Sequence, residues 1–297
     1  ALLEIQCVEL SSLDPTMAAV VAASSLPMVI NDARAWEHLL TTTGEDVKTS
    51  ALAMGNLIQL DVYAASYHCT SPRVERLYQV LQTHSPQLRV LSIDHGSHLE
   101  FSDEDDDAPK RAVEMQAIAR GLFGPDSTLR LDRIKLMAPI NERDLQHMIA
   151  VFDPQAPCAH VNRHRSMTLW GGEQSTIRGN TLAQLLQLIG GVECLELGGS
   201  SGEGVRTAEV GYLVRGCRSL RSLTVEATCA GWKRLTVAGK ADSHLERLEL
   251  PLGDRKSALI ASGVERLLGH VGQSLVALSI LSWRAAAEGQ ICVELDS

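Results

Sequence analysis

Aromatic residues are scarce in this chain, at 4% of 297 residues. Leucine, alanine and valine are plentiful instead, a composition suited to a core of stacked aliphatic layers, although many helical proteins share it. The cationic surplus of a non-specific nucleic-acid binder is also missing. Lys and Arg number 27 against 36 Asp and Glu, a net charge of −9, whereas phosphate neutralisation needs Lys and Arg gathered on one face. Local basic groups such as Arg215, Arg218 and Arg221 read as exposed surface positions. The seven cysteines are odd in number and contain no C-x-x-C pair. That speaks against a disulfide framework and for a reducing, intracellular and by default cytoplasmic compartment. No apolar run approaches the ~20 residues needed to span a bilayer, so no membrane partner is expected. Ala1 is neither a methionine nor the start of a signal-peptide pattern, which leaves open a cleaved organelle presequence.

The segment from Asn180 to Val225 carries the clearest positive pattern. Val192-Glu193-Cys194-Leu195-Glu196-Leu197 and Leu220-Arg221-Ser222-Leu223-Thr224-Val225 share the spacing L-x-x-L-x-L, 28 residues apart. Each follows a stretch with helical periodicity: Leu182, Leu185, Leu186 and Ile189 in one case, with Asn180 as the expected N-cap, and Val210, Leu213 and Val214 in the other. A short strand, a loop and an amphipathic helix recurring at this period resemble the leucine-rich repeat, whose units bury their apolar sides only against one another. The resemblance implies an α/β solenoid, a horseshoe with parallel strands on the concave face and helices on the convex face.

Similar hexads begin at Leu57, Leu88, Leu131, His164, Leu245 and Leu275. Between them lie candidate helical faces: Val74, Leu77, Tyr78 and Leu81; Val113, Ala117 and Ile118; Leu145, Met148, Ile149 and Phe152; Ile260, Val264, Leu267, Leu268 and Val271. Trp232 to Val237 also fits the strand spacing, so residues 223–237 read either as a hairpin turning at Cys229-Ala230-Gly231 or as part of a helical repeat. Ile291 to Leu295 reads as a last strand.

Residues 1–50 differ, and the repeat domain proper is expected over 51–297. Leu13-Asp14-Pro15, an Ala/Val-rich run and the closing Asp32-x-x-x-Trp36-x-x-Leu39 resemble an F-box, matched at Leu13, Asp14, Pro15, Trp36 and Leu39. The resemblance implies helical docking onto Skp1 in a cullin ubiquitin ligase. The alternative is an irregular capping unit, because Ile5 to Leu10 also fits the strand spacing, and Pro27 should break any helix through it.

Four motifs suggest chemistry and each has a plainer explanation. Gly198-Gly199-Ser200-Ser201-Gly202 satisfies G-x-S-x-G with Ser200 as nucleophile, but its strand belongs to a repeated series. Gly199 and Gly204 have phosphate-loop spacing, yet Val205 stands where that loop needs lysine. Asp103, Asp105, Asp107 and Glu114 imitate a calcium loop, although Ala108 replaces its glycine; an acidic surface insertion leading into a helix is the default. Cys158, His160 and His164 supply three zinc-type ligands without a second pair. We therefore expect no catalytic residues, no cofactor and no metal.

Function then falls to the strand residues between the leucines, which strand alternation turns away from the core. The expected partner-binding face contains Asp61, Ser92, Arg133, Lys135, Thr168, Glu196, Thr224, Arg247 and Glu249, together with Gln59, Val90, Ser166, Cys194, Ser222, Ala277 and Ser279. Such a surface suits a protein partner met through many modest contacts. The leading expectation is a non-catalytic interaction module, as an F-box-type adaptor if the N-terminal resemblance holds. The alternatives are a structural subunit of an organellar or ciliary assembly and a Ser200 hydrolase.

Overall fold

The computed structural model describes residues 8–10, 28–31, 55, 57–63, 71–94, 108–124, 126–137, 140–152, 164–171, 177–199, 210–225, 244–252, 274–282 and 291–294. The chain divides into two compact units, Ala1–Met137 with Ala150–Asn162, and Ala138–Ile149 with Arg163–Ser297.

In the first unit, strands β1 (Val8–Leu10), β2 (Met28–Asn31), β3 (Leu57–Tyr63), β4 (Val90–Asp94) and β5 (Arg133–Met137) pair in sequence order, all parallel. Parallel neighbours need a crossover. Helix α1 (Ser71–His84) supplies it between β3 and β4, and α2 (Ala108–Phe123) between β4 and β5. The register aligns the hexad leucines: Leu60 lies opposite Leu91 and Leu91 opposite Ile134, all fully buried. The helices bring Leu77, Tyr78, Leu81, Ile118 and Leu122 to the same core. Each such side chain contributes about 1.5–3 kcal/mol of burial.

The second unit repeats the plan. Helix α3 (Glu142–Ile149) leads into β6 (His164–Gly171), then α4 (Gly179–Leu188), β7 (Val192–Gly199), α5 (Val210–Gly216), β8 (Ser222–Val225), β9 (Arg247–Leu252), β10 (Ala277–Ser282) and β11 (Ile291–Glu294). Strands β6 to β10 are parallel neighbours, and β11 closes antiparallel on β10. Met167, Leu195, Leu223, Leu248 and Leu278 form one continuous row of register partners, each buried. At the end of α4, Gly190 and Gly191 both have positive φ, 89° and 91°, which turns the chain from helix into β7. A Cβ on Gly191 would also collide with Ser219 Oγ, which donates to the Val192 carbonyl at 3.2 Å.

Several expectations need correction. Val8–Leu10 is a strand, within the Ile5 to Leu10 stretch that fits the strand spacing, and Met28–Asn31 is a second strand in the 1–50 segment that the spacing did not indicate. Met28-Val29-Ile30 follows Pro27, which cannot continue a helix, and its β-branched residues favour extended backbone. The F-box positions Leu13, Asp14, Pro15, Trp36 and Leu39 lie outside the described residues. So does the helical face from Ile260 to Val271. The alternatives for residues 223–237 fall largely outside the described residues, of which β8, Ser222–Val225, pairs with β7 on one edge and with β9 on the other. Asn180 is not the N-cap of α4. That position is Arg178, whose backbone N–H donates to Glu142 Oε2 of α3 at 2.8 Å. Thr181 Oγ1 donates to the other oxygen of the same carboxylate. A neighbouring helix thus supplies the anion that the α4 N-terminus favours. Helix α3 is capped locally: Asn141 Oδ1 accepts from the Asp144 N–H at 3.1 Å and Asp144 Oδ2 from the Asn141 N–H at 2.8 Å, a reciprocal capping box. Finally, Val113 faces solvent, since α2 buries residues round most of its circumference and must leave some apolar side outside.

Candidate partner-binding face

The strand faces can be built up row by row from the register. In the second unit, Thr168, Glu196, Thr224, Glu249 and Ser279 are successive partners across β6 to β10. Hydroxyls alternate with carboxylates along this row. Thr168 Oγ1 donates to Glu196 Oε2 at 3.0 Å, and Thr224 Oγ1 to Glu249 Oε2 at 3.4 Å. The two glutamates are exposed, whereas Thr168 and Ser279 are buried. Thr168 orients the carboxylate it donates to and, being buried, offers little surface of its own. A second row, Ser166, Cys194, Ser222, Arg247 and Ala277, runs beside the first. Cys194 and Arg247 are its exposed members.

The first unit presents Asn31, Asp61, Ser92 and Lys135 in one row and Val29, Gln59, Val90 and Arg133 in the other. Gln59 Nε2 donates to Asp61 Oδ2 at 3.0 Å and holds that carboxylate along its own strand. Arg133 is exposed and Lys135 half-buried. No ion pair to either cation is formed among the described residues.

One row was missed in the sequence: the second residue of each hexad. It reads Ile58, Arg89 and Asp132 in the first unit, then Arg165, Glu193, Arg221, Glu246 and Val276 in the second, all exposed except the half-buried Ile58. The alternation of sign was the available signal. Arg221 Nη1 lies 3.2 Å from Glu246 Oε1 and also donates to the His244 carbonyl at 3.4 Å. Both side chains are about half exposed, so the pair is worth no more than ~1 kcal/mol. The backbone underneath forms a staircase, with Arg221 N donating to Glu193 O at 2.7 Å and Arg247 N to Arg221 O at 2.9 Å.

The chemistry-bearing motifs do not assemble among the described residues. Ser200, Val205, Asp103, Asp105, Asp107, Cys158 and His160 lie outside them; His164 opens β6, and Glu114 is buried in α2. Among the described residues no three His, Cys, Asp or Glu side chains are grouped to hold a metal, and no helix is long and apolar enough to cross a membrane. Cys194 is exposed and Cys217 buried, and burial pushes the Cys217 thiol up to about 12.

No protein-family model and no curated protein matches the chain. Among solved structures, the chain is similar to the leucine-rich repeat-containing protein LegL7 from Legionella pneumophila, with a TM-score of 0.54 over 97% of this chain and 85% of that one. The likeness is one of fold. At 16% identity it supports an α/β strand–helix repeat architecture and carries no residue roles across.

Proposed function

We propose that the chain is a non-catalytic protein-interaction module that meets its partner on the strand face. The observation behind this reading is the register-aligned row Thr168, Glu196, Thr224, Glu249 and Ser279, in which threonines orient exposed carboxylates across adjacent strands. Rigid strands with preset polar groups lower the ordering cost that a partner must overcome.

The adaptor version, docking onto Skp1 through residues 1–40, loses support from β2. Met28–Asn31 is hydrogen-bonded between β1 and β3, which takes part of that stretch into the sheet. The subunit version uses the same face and differs in forming a permanent, stoichiometric complex. Cross-linking mass spectrometry on the full chain in cell extract tests the face itself. Glu196→Lys with Glu249→Lys should remove the captured partner, and Asn180→Lys with Gln184→Lys, on exposed positions of α4, should not. Loss through the α4 pair alone would move the binding surface to the helical side and refute the proposal.

A further inference from the structure

We infer that the second unit pairs with a second copy of itself through the row of charges at the entry of strands β6 to β9. This inference goes beyond the partner-binding reading above and uses a different set of residues. The row reads Arg165, Glu193, Arg221 and Glu246, all exposed, at the same hexad position of four successive strands. Neighbouring strands lie about 4.8 Å apart, so the row is about 14 Å long. Its backbone is fixed: Glu193 O accepts from Arg221 N and Arg221 O from Glu246 N, both at 2.7 Å.

The signs run plus, minus, plus, minus, and read backwards they run minus, plus, minus, plus. A two-fold axis along the strands, between β7 and β8, reverses the row in the second copy. Arg165 then meets Glu246 of that copy and Glu193 meets its Arg221, so every charge faces an opposite one. The same patch serves both sides, as a closed dimer requires. The flanking positions do not oppose this arrangement: Arg247 falls opposite Ser166, Cys194 opposite Ser222, and the exposed Arg218 opposite the Gly190 turn. Pairing within one chain leaves half of the row unused. Arg221 and Glu246 form an ion pair at 3.2 Å, whereas Arg165 and Glu193 form none among the described residues. Those two are the charges that meet the Arg221–Glu246 pair of the second copy. A patch of one sign would instead repel its own copy. The net charge of −9 repels a second copy at long range, but in about 0.15 M salt the screening length is about 8 Å, which weakens that repulsion far more than the attraction between charges in contact. A row this short sets orientation and choice of partner more than strength, so the dimer is weak and reversible.

Sedimentation velocity on the full chain, over a concentration series in about 0.15 M salt, tests this. The parent should show a monomer–dimer equilibrium. Glu193→Arg alone and Arg221→Glu alone each place two like-charge contacts in the homodimer and should weaken it at least about tenfold. Mixed in equal amounts, the two variants face each other with opposite signs at all four contacts, and dimer should return to within about threefold of the parent. Glu196→Gln with Glu249→Gln, on the strand face, should leave the equilibrium within about twofold. If a charge-reversed variant loses the parent's circular dichroism spectrum, Glu193→Gln with Arg221→Gln decides instead, with an expected weakening of at least about threefold. A parent chain that stays monomeric at every concentration overturns the inference, as does a mixture no more associated than its two components. Loss of dimer through the Glu196 and Glu249 pair, with the row variants unaffected, also overturns it, because self-association would then belong to the strand face.

Discussion

In the first unit the second helix rests against a tyrosine ring; in the second unit the matching helix rests against an alanine. The two helix pairs are otherwise built alike. Leu77-Tyr78-Gln79-Val80-Leu81-Gln82 of α1 corresponds to Leu182-Ala183-Gln184-Leu185-Leu186-Gln187 of α4, and Ala119-Arg120-Gly121 of α2 to Val214-Arg215-Gly216 of α5. In each pair the glutamine side chain donates to the glycine carbonyl, Gln82 to Gly121 at 2.9 Å and Gln187 to Gly216 at 2.6 Å. In each, the glycine is what lets the helices approach. The difference lies in how much material occupies the contact, and it predicts that the first unit is the less forgiving one.

Tyr78→Ala should therefore have the largest effect, about 3–5 kcal/mol, because it empties a ring-sized volume that nothing refills. Position 183 is already alanine, so the second unit has no counterpart to lose. Urea unfolding measures the cost; a loss under about 1 kcal/mol would mean that the helices collapse together and that the ring is not the spacer. Next in size is Gly121→Ala. Its new Cβ would overlap Cγ, Cδ2 and Cβ of Tyr78 at once, for about 1–3 kcal/mol of overpacking, beyond the ~1 kcal/mol gained in helix propensity. Gly216→Ala meets chiefly one atom, Ala183 Cβ at 2.7 Å, at the last residue of its helix, and should cost less. Equal costs for the two glycines would remove the basis of the comparison.

The strands of both units were readable because the L-x-x-L-x-L spacing reports strand burial directly, and every such hexad from Leu57 onward that the structure describes lies on a strand of its unit's sheet. β2 escaped detection because its register slips by one residue between Met28 and Val29, which breaks the hexad spacing. The cap of α4 escaped for a different reason: Glu142 belongs to the preceding helix, and no local pattern can show a carboxylate delivered from 36 residues away. On the candidate face, alternation picked out the third and fifth hexad positions, of which Arg133, Cys194, Glu196, Arg247 and Glu249 are exposed, and passed over the exposed second position. The burial of Thr168 was not legible, since Thr224, with the same bond to a glutamate on the next strand, is only half-buried. Glu142 also marks a contrast with the first unit, where the carboxylate of Glu75 in α1 meets a side chain of α2, Arg120 Nη1 at 3.6 Å. Glu142→Ala should cost the second unit about 1–2 kcal/mol, and Glu142→Gln, which keeps one acceptor, about half of that. Urea midpoints for the two variants check the order; a harmless alanine variant would mean that water satisfies the α4 N-terminus equally well.

The smallest effect compares Ser85 with Cys217. Each sits buried three residues before the first leucine of a hexad, with its N–H donating four residues back, to Leu81 O or Leu213 O, and its carbonyl accepting from Leu88 or Leu220. The backbone is the same and only the side-chain acid differs. Burial raises the Cys217 thiol from 9.0 to about 12, so the folded chain keeps a proton that the unfolded chain loses above pH 9. Stability linked to this proton is complete below pH 9 and drains away as pH climbs toward 12, with a limiting slope of about 1.4 kcal/mol per pH unit. Over the first unit above pH 9 the loss is smaller than that. Cys217→Ser should flatten the stability–pH curve between pH 9 and 10 relative to the parent chain, and Ser85→Cys should steepen it, other titrations cancelling in the difference. Parallel curves for all three proteins would show that the thiol is hydrated in the folded state, and that the serine and cysteine positions are not equivalent layers of the same repeat.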